Sequence, residues 1–465
     1  MRRRDVLKAS GTAVVGAVAS HLMSRPLHAQ GHPFFERDVC VIGGGSAGTY
    51  VSVRLGDFGK SVVLLERTDR LGGHAQTFVD PGTGTPIDIG VIDFEPTPIV
   101  LNYFNRFNIK YTVGSGTSGG TTVSIDLRTG LPLKNLTPPS QAAVGQALVA
   151  YQKILVTKYP YLDAGFQLPD PVPQELTEPF SSFVNANGLQ AIVPIIFLFG
   201  QGAGNLLQDP TLYVLKLFSL NVVNSILGSG FLNIQGGTVQ LYSAATQHLG
   251  SNVVFNARLR SVDRTGPRIK VVADTPTGPV TVLCSKLVWS APPTLFNLAP
   301  VDLDAKEISV FSRLQAKTYA VGLATISGLP EGVAIENQAP DTPFNLPPLP
   351  GLYLLSAKVP GLYTTLFGSE EPLPSSVVEF LIKLQVESLA RAGTYPARFE
   401  EFQIFSNHTP FQIGVSADEI AAGFYTRMNA LQGHQNTWYN GAAFQTNDSS
   451  LIWQFTEQLL TKIVS

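Results

Sequence analysis

The chain has 465 residues, 44% of them apolar and only 14% charged, with 43 Gly, 33 Pro and 2 Cys. That length buries a core large enough to dispense with disulfide or metal staples, and the composition excludes a disordered chain or a coiled coil. A formal net charge of −2, with no block of like charges, leaves no basic face for nucleic acid.

The chain opens with Arg2-Arg3-Arg4-Asp5-Val6-Leu7-Lys8, then a mildly apolar run over 9–23, Pro26 and the small-residue stop Leu27-His28-Ala29. A basic start, a short apolar middle and a small residue at the end mark a secretory signal. Paired arginines followed by an apolar pair and a lysine match the twin-arginine type. Residues 1–30 are therefore expected to be an export signal, with the twin-arginine machinery as a partner and a periplasmic or extracellular destination. A short membrane anchor is the alternative reading, although the run is shorter than the roughly 20 residues that span a bilayer. Without this segment the 32 basic and 34 acidic residues fall to 27 and 33, a charge of −6.

Residues 38–42 form a short apolar run ending in Gly43-Gly44-Gly45-Ser46-Ala47-Gly48. An amphipathic segment with Tyr50, Val51, Val53 and Leu55 follows, then a break at 56–59, then a second apolar run at 61–65 that delivers Glu66. Strand, glycine turn, helix, strand and acid is the order of a dinucleotide-binding unit. The glycines let the backbone approach a pyrophosphate at the helix N-terminus, and the acid accepts both ribose hydroxyls. The same carboxylate repels a 2′-phosphate, which disfavours NADP.

Glu66 is followed by Arg67-Thr68-Asp69-Arg70-Leu71-Gly72-Gly73-His74. Here the chain resembles the flavin amine oxidases and their relatives, which carry an R-x-G-G element after the second strand. The resemblance implies FAD as the cofactor, with the backbone of Gly72 and Gly73 packed on its pyrophosphate and ribityl chain. In that superfamily the chain ends in a strand, a glycine and a helix whose N-terminus points at the flavin. Here Asn-Thr-Trp-Tyr-Asn-Gly-Ala-Ala at 436–443 precedes Asp448-Ser449-Ser450-Leu451 and a helix to about Ile463. The resemblance thus implies cofactor contacts at Gly43, Gly45, Ser46, Ala47, Gly48, Glu66, Arg67, Arg70, Gly72, Gly73, His74, Gly441, Ala442, Ser450 and Leu451, and a backbone contact to adenine around Val262. A plain N-cap by Asp448 is the alternative reading of the last helix.

The middle of the chain fits the same plan. Asn233-Ile234-Gln235-Gly236-Gly237-Thr238 opens a helical stretch to His248, and apolar strands follow at 253–255, 258–262, 269–273, 280–284 and 287–289. Cys40 and Cys284 fall in such strands and are expected as free core thiols. Within the superfamily the chain looks closest to the polyenoic fatty acid isomerases and the fungal cyclopiazonate dehydrogenase group. That likeness rests on ILVTKY at 154–159, PFSSF at 179–183, YVLKL at 213–217, PIDIGV at 86–91 and TWY at 437–439.

Because a flavin itself accepts hydride, candidate catalytic residues are few, and no Ser-His-Asp arrangement or metal-ligand cluster is evident. His74 abuts the glycine pair. Lys317 opens the strand 317–322, where the superfamily carries its lysine near flavin N5. Trp438 and Tyr439 offer an aromatic wall. A purely structural role is the other reading of each. The chain departs from the family after its C-terminal glycine, where an acid is replaced by Ala442, and this argues against amine oxidation. Residues 186–234 carry only Asp209 and Lys216 as charges and read either as buried helix or as the wall of a channel for a lipid-like or aromatic substrate. The Pro-rich stretch 329–350 reads as a surface loop or a lid.

The expected architecture is α/β, with an α+β second domain. A Rossmann-like FAD-binding domain from 36–100, 231–299 and 411–465 is interleaved with a substrate domain from 101–230 and 300–410. The expected function is an exported FAD-dependent oxidoreductase that moves hydride from an apolar small molecule to the flavin, with oxygen or a membrane carrier as final acceptor. The alternatives are a redox-neutral double-bond isomerase of unsaturated fatty acids and a non-catalytic flavin-binding protein.

Overall fold

A computed structural model describes residues 33–114, 121–134, 136–200 and 202–465. The export signal expected at 1–30 lies outside the described residues.

Strand β1 (Phe34–Ile42) is exposed at its start and wholly buried from Val39 onward. A strand apolar on both faces belongs in the middle of a parallel sheet covered on both sides. β1 lies between β2 (Val62–Leu65) and the second half of the strand Gly278–Trp289, with Val41 opposite both Leu64 and Val288. Val253–Val254 extends this sheet beyond β2, and Thr437–Tyr439 runs parallel to the end of Gly278–Trp289. The segments expected as separate strands at 280–284 and 287–289 are therefore one strand. On the edge away from β1, its first half pairs antiparallel with Ile269–Thr275, which in turn pairs with Arg258–Asp263. Cys40 and Cys284 are free, fully buried thiols in this sheet.

Helix α1 (Ser46–Asp57) covers the sheet beside the C-terminal helix Ser449–Ile463. The seam between them is aromatic and ionic. Trp453 stacks on Tyr50 with ring centres 5.2 Å apart, and Arg54 pairs with Glu457 at 2.6 Å.

A second, eight-stranded sheet is built around Gln315–Ser327, which lies antiparallel to Leu362–Ser369 on one side and Arg398–Asn407 on the other. Helix Ser375–Arg391 covers it, burying Val378, Ile382, Val386 and Leu389 along one stripe. The Pro-rich stretch expected as a loop contributes a strand, Val333–Asn337, parallel to Thr121–Asp126. Asn337 locks it in place by accepting from the Leu127 N–H at 3.0 Å and donating to Leu352 O at 2.7 Å.

Two segments cross the expected domain boundaries. Phe411–Gly414 pairs with Gln315–Ser327 in the second sheet instead of joining the nucleotide sheet. Phe231–Ile234 is a strand, paired with Tyr111–Gly114 and Asp93–Phe94, and the helix expected there starts only at Val239. Between these, Thr211–Leu217 is a helix with all of its side chains buried. Among the described residues no single helix is long and apolar enough to cross a membrane.

Candidate functional site: a glycine-built nucleotide cradle and a histidine pair

Where β1 ends, the Gly43 N–H donates to Leu65 O at 2.9 Å and joins the ends of β1 and β2. A Cβ on Gly48 would stand 1.8 Å from Gly43 O, so only glycine lets the first turn of α1 rest on the strand end. Gly45 precedes α1 without a capping side chain, and no acid stands in the first turn. The helix N-terminus is therefore left to an anion. Glu66, only 8% exposed, closes the other side. Its Oε2 accepts the Gly44 N–H at 2.6 Å, and its Oε1 accepts the N–H and hydroxyl of Thr68, both at 2.8 Å.

The glycine pair docks on this turn by backbone alone. The Gly72 N–H donates to Gly44 O at 2.8 Å, Gly45 and Gly72 form a parallel bridge, and Gly73 rests against the Cα of Gly45. Arg70 staples the loop by donating to Ala75 O and Gly73 O at 2.9 Å each. Its guanidinium is thus a clamp on the loop. Arg67 is exposed beside it.

The C-terminal segment reaches the same turn. Gly441 passes beside Ala47, with Ala442 next to it, and the Ser46 and Ser449 hydroxyls hydrogen-bond at 2.9 Å. The N–H groups of Ser450 and Leu451 both donate to Asp448 Oδ1, at 2.7 and 3.1 Å. The N-cap reading of Asp448 is the one observed: amides expected to face the flavin are taken by a side chain. Val262 is also engaged elsewhere. Its N–H donates to Pro300 O at 2.8 Å and its carbonyl accepts from Asp302 at 3.2 Å, whereas the backbone beside Glu66 belongs to Asn256 and Ala257. The backbone of Val262, which the resemblance pairs with adenine, is thus hydrogen-bonded within the protein.

An uncapped helix end, a backbone groove closed to any Cβ, a buried acid at the end of β2 and the buried, unpartnered Ser290 hydroxyl beside Gly48 together fit a dinucleotide. This site and the two interleaved sheets define a dinucleotide-binding flavoprotein. The profile described as flavin containing amine oxidoreductase matches residues 48–320, and the chain belongs to that family. It is 35% identical over 437 residues to the FAD-dependent oxidoreductase dbaF of Emericella nidulans, covering 92% of this chain and 91% of that one. It is 31% identical to the beta-cyclopiazonate dehydrogenase of Aspergillus flavus, covering 92% and 93%. The fold superposes on a CLA-producing fatty acid isomerase from P. acnes with a TM-score of 0.75 at 20% identity, covering 92% of this chain and 98% of that one. It superposes on putrescine oxidase with a TM-score of 0.62 at 16% identity, covering 93% and 100%. The protein is an FAD-dependent oxidoreductase, and FAD is its cofactor.

The expected catalytic residues separate in the structure. Lys317 is tied down: its ammonium donates to Ala203 O and pairs with Asp209, both at 2.5 Å, and meets Glu370 at 3.0 Å. Trp438 lies under the Lys286 ammonium at 5.3 Å. Tyr439 donates to Glu307 at 2.7 Å within a buried Arg264–Glu307 pair. Both aromatics pack the edge of the nucleotide sheet. One trio of possible metal ligands occurs among the described residues, Asp304, Glu307 and His434. Its acids are spent on the capping box of helix Ala305–Phe311 and on Arg264. The two charges of the apolar stretch are likewise structural. Asp209 holds Lys317, and Lys216 donates to Leu162 O at 2.7 Å while burial lowers its pKa to about 7.

His74 does meet a partner, one that the sequence did not mark. Its ring stacks on His408 at 4.2 Å and 10°. Phe411 lies 5.7 Å from His74, and Tyr319 lies 5.0 Å from Phe411. Tyr319 stands two residues beyond Lys317, on the same face of the strand, so the alternation brings Tyr319 to this cluster and leaves the lysine at its edge. Burial, then Arg67 and Arg70, push the His74 pKa down to about 4. Burial, then His74 and Arg70, hold His408 well below the ordinary imidazole value. Both rings are neutral at pH 7.

An unfolded His74 takes its proton near 6.5 and the folded one near 4. Between those values the unfolded chain binds more protons, so stability is lost as the pH falls through that window. The loss for His74 is on the order of 3 kcal/mol. Melting temperatures measured from pH 7 to pH 4 are expected to fall less steeply in the double variant His74→Gln, His408→Gln than in the parent. Parallel curves would contradict the assignment.

Proposed function

We propose that this oxidoreductase takes hydride from an uncharged, largely apolar small molecule held where the glycine-pair loop meets the second sheet. The observation that carries this reading is the makeup of that junction. Its rings, His74, His408, Tyr319 and Phe411, carry no charge at neutral pH, and the nearby Lys317 is paired with Asp209, whose pKa burial raises to about 7, and with Glu370. A charged amine would find no counter-ion among these four rings, and removing an ion from water without one is costly. Bound FAD supplies the hydride acceptor. The chain itself supplies the grip on the dinucleotide through Glu66 and the glycine turn, orients the ligand against aromatic faces, and excludes water with the buried helices of the 190–234 region. The dehydrogenase name of one relative, beta-cyclopiazonate dehydrogenase, supports oxidation as the reaction.

An anaerobic screen of the flavin-loaded protein tests this. Apolar aromatic or prenylated compounds are expected to bleach the flavin's visible band, and putrescine is not. Bleaching by putrescine alone would overturn the proposal. Conversion of linoleic acid to a double-bond isomer, with neither bleaching nor oxygen uptake, would replace oxidation by isomerisation.

We also propose that residues 1–30 direct export, on the strength of their paired arginines and short apolar run. Fused to a reporter in a bacterial host, the segment is expected to deliver it to the periplasm. The substitutions Arg2→Lys, Arg3→Lys and Arg4→Lys together are expected to retain it inside. A reporter indifferent to these changes would count against twin-arginine export.

A further inference from the structure

Resting on the junction as the substrate site, we propose that His408 is the site's polar anchor, a hydrogen-bonding point for the one hydroxyl or N–H of an otherwise apolar aromatic ligand. His408 follows the strand Arg398–Asn407, and its own N–H donates to Tyr319 O at 2.9 Å, which fixes it to the central strand of the second sheet. Its side chain is 3% exposed, yet Nε2 has no hydrogen-bond partner among the described residues. A buried polar nitrogen left unpaired is costly, because it loses its bond to water and gains none in return. Such an atom persists in a well-packed region when a ligand supplies its partner.

The surroundings say what kind of ligand that is. His74 lies face to face with the ring at 4.2 Å, Tyr319 is 5.7 Å away and Phe411 6.3 Å. These rings favour an aromatic body. A Cβ on Gly90 would stand 2.8 Å from His408 Cε1, so the hairpin of Ala75–Val79 and Pro86–Gly90 leaves room for the imidazole edge only because residue 90 is glycine. Among the described residues the ring makes no ion pair with a carboxylate, and burial, then His74 and Arg70, hold its pKa well below the ordinary imidazole value. A neutral imidazole offers one donor and one acceptor. It matches a single hydroxyl or N–H and gives no counter-charge to an ionised group.

The experiment titrates the FAD-loaded protein with 4-ethylphenol and with ethylbenzene, a pair that differs by one hydroxyl, and follows binding by calorimetry. The parent is expected to bind the phenol about tenfold more tightly, the worth of one satisfied buried hydrogen bond. His408→Leu is expected to bring the two probes to parity by weakening the phenol alone. His408→Gln, which retains a hydrogen-bonding amide, is expected to keep part of the preference. Flavin content of each variant, read from its visible absorbance, shows whether the fold is retained. A parent without preference, or a leucine variant that keeps it, would overturn the role of His408; the second result would mean that FAD or protein already partners Nε2. Those failures leave the proposed reaction standing if apolar compounds still bleach the flavin. Bleaching by putrescine alone would remove the reaction itself.

Discussion

At the end of the first strand, the carbonyl of Gly43 faces the bare Cα of Gly48 at a distance that admits no Cβ. This backbone contact starts α1 directly at the sheet edge with its amide end uncapped. The rest of the site is referenced to that turn. Gly72 and Gly73 dock on Gly44 and Gly45 by a hydrogen bond and a parallel bridge, Glu66 reaches it through the Gly44 N–H, and Ser449 and Gly441 touch Ser46 and Ala47. Segments scattered along the chain are thus brought to one point largely by main-chain contacts, which side-chain variation disturbs little. A nucleotide cradle built this way places polar backbone where an anion needs it and keeps side chains out.

The second sheet adds the chemistry-facing wall, and its attachment is as specific as the cradle. Phe411–Gly414 and Arg398–Asn407 both pair with Gln315–Ser327, so Tyr319, His408 and Phe411 come from strands that share hydrogen bonds. Lys317 anchors the loop before Thr211–Leu217 to the same strand through Asp209 and Ala203 O. Charge is spent on holding elements together, and the surface left for a ligand is made of neutral rings.

Local features were legible in the sequence and pairings were not. The order from β1 to Glu66 is carried by consecutive residues, and Asp448 announces a helix cap by its position alone. The partners of the Val262 backbone, Pro300 and Asp302, come from a distant segment that local sequence does not reveal. Trp438 and Tyr439 read equally well as a ligand wall or as sheet packing until the Arg264–Glu307 pair is seen beside them. Lys317 illustrates the two-residue period of a strand, since the register that brings Tyr319 to the cluster follows from pairing with Phe411–Gly414. His408 carried no signal at all. It lies in an unremarkable Asn-His-Thr-Pro sequence, and only the stacking on His74 gives it meaning. The strand Val333–Asn337 was hidden among prolines that interrupt its flanks and leave its interior free.

The central claim is that the glycine turn, the glycine pair and the segment at Gly441 and Ala442 form one FAD-binding surface. Amide hydrogen exchange, compared between flavin-free and FAD-loaded protein, tests it most directly. Residues 43–48, 72–74 and 441–442 are expected to gain protection together on loading, while Ser375–Arg391, on the second sheet, is unchanged. Protection confined to the glycine turn, or strongest in the second sheet, would contradict the account.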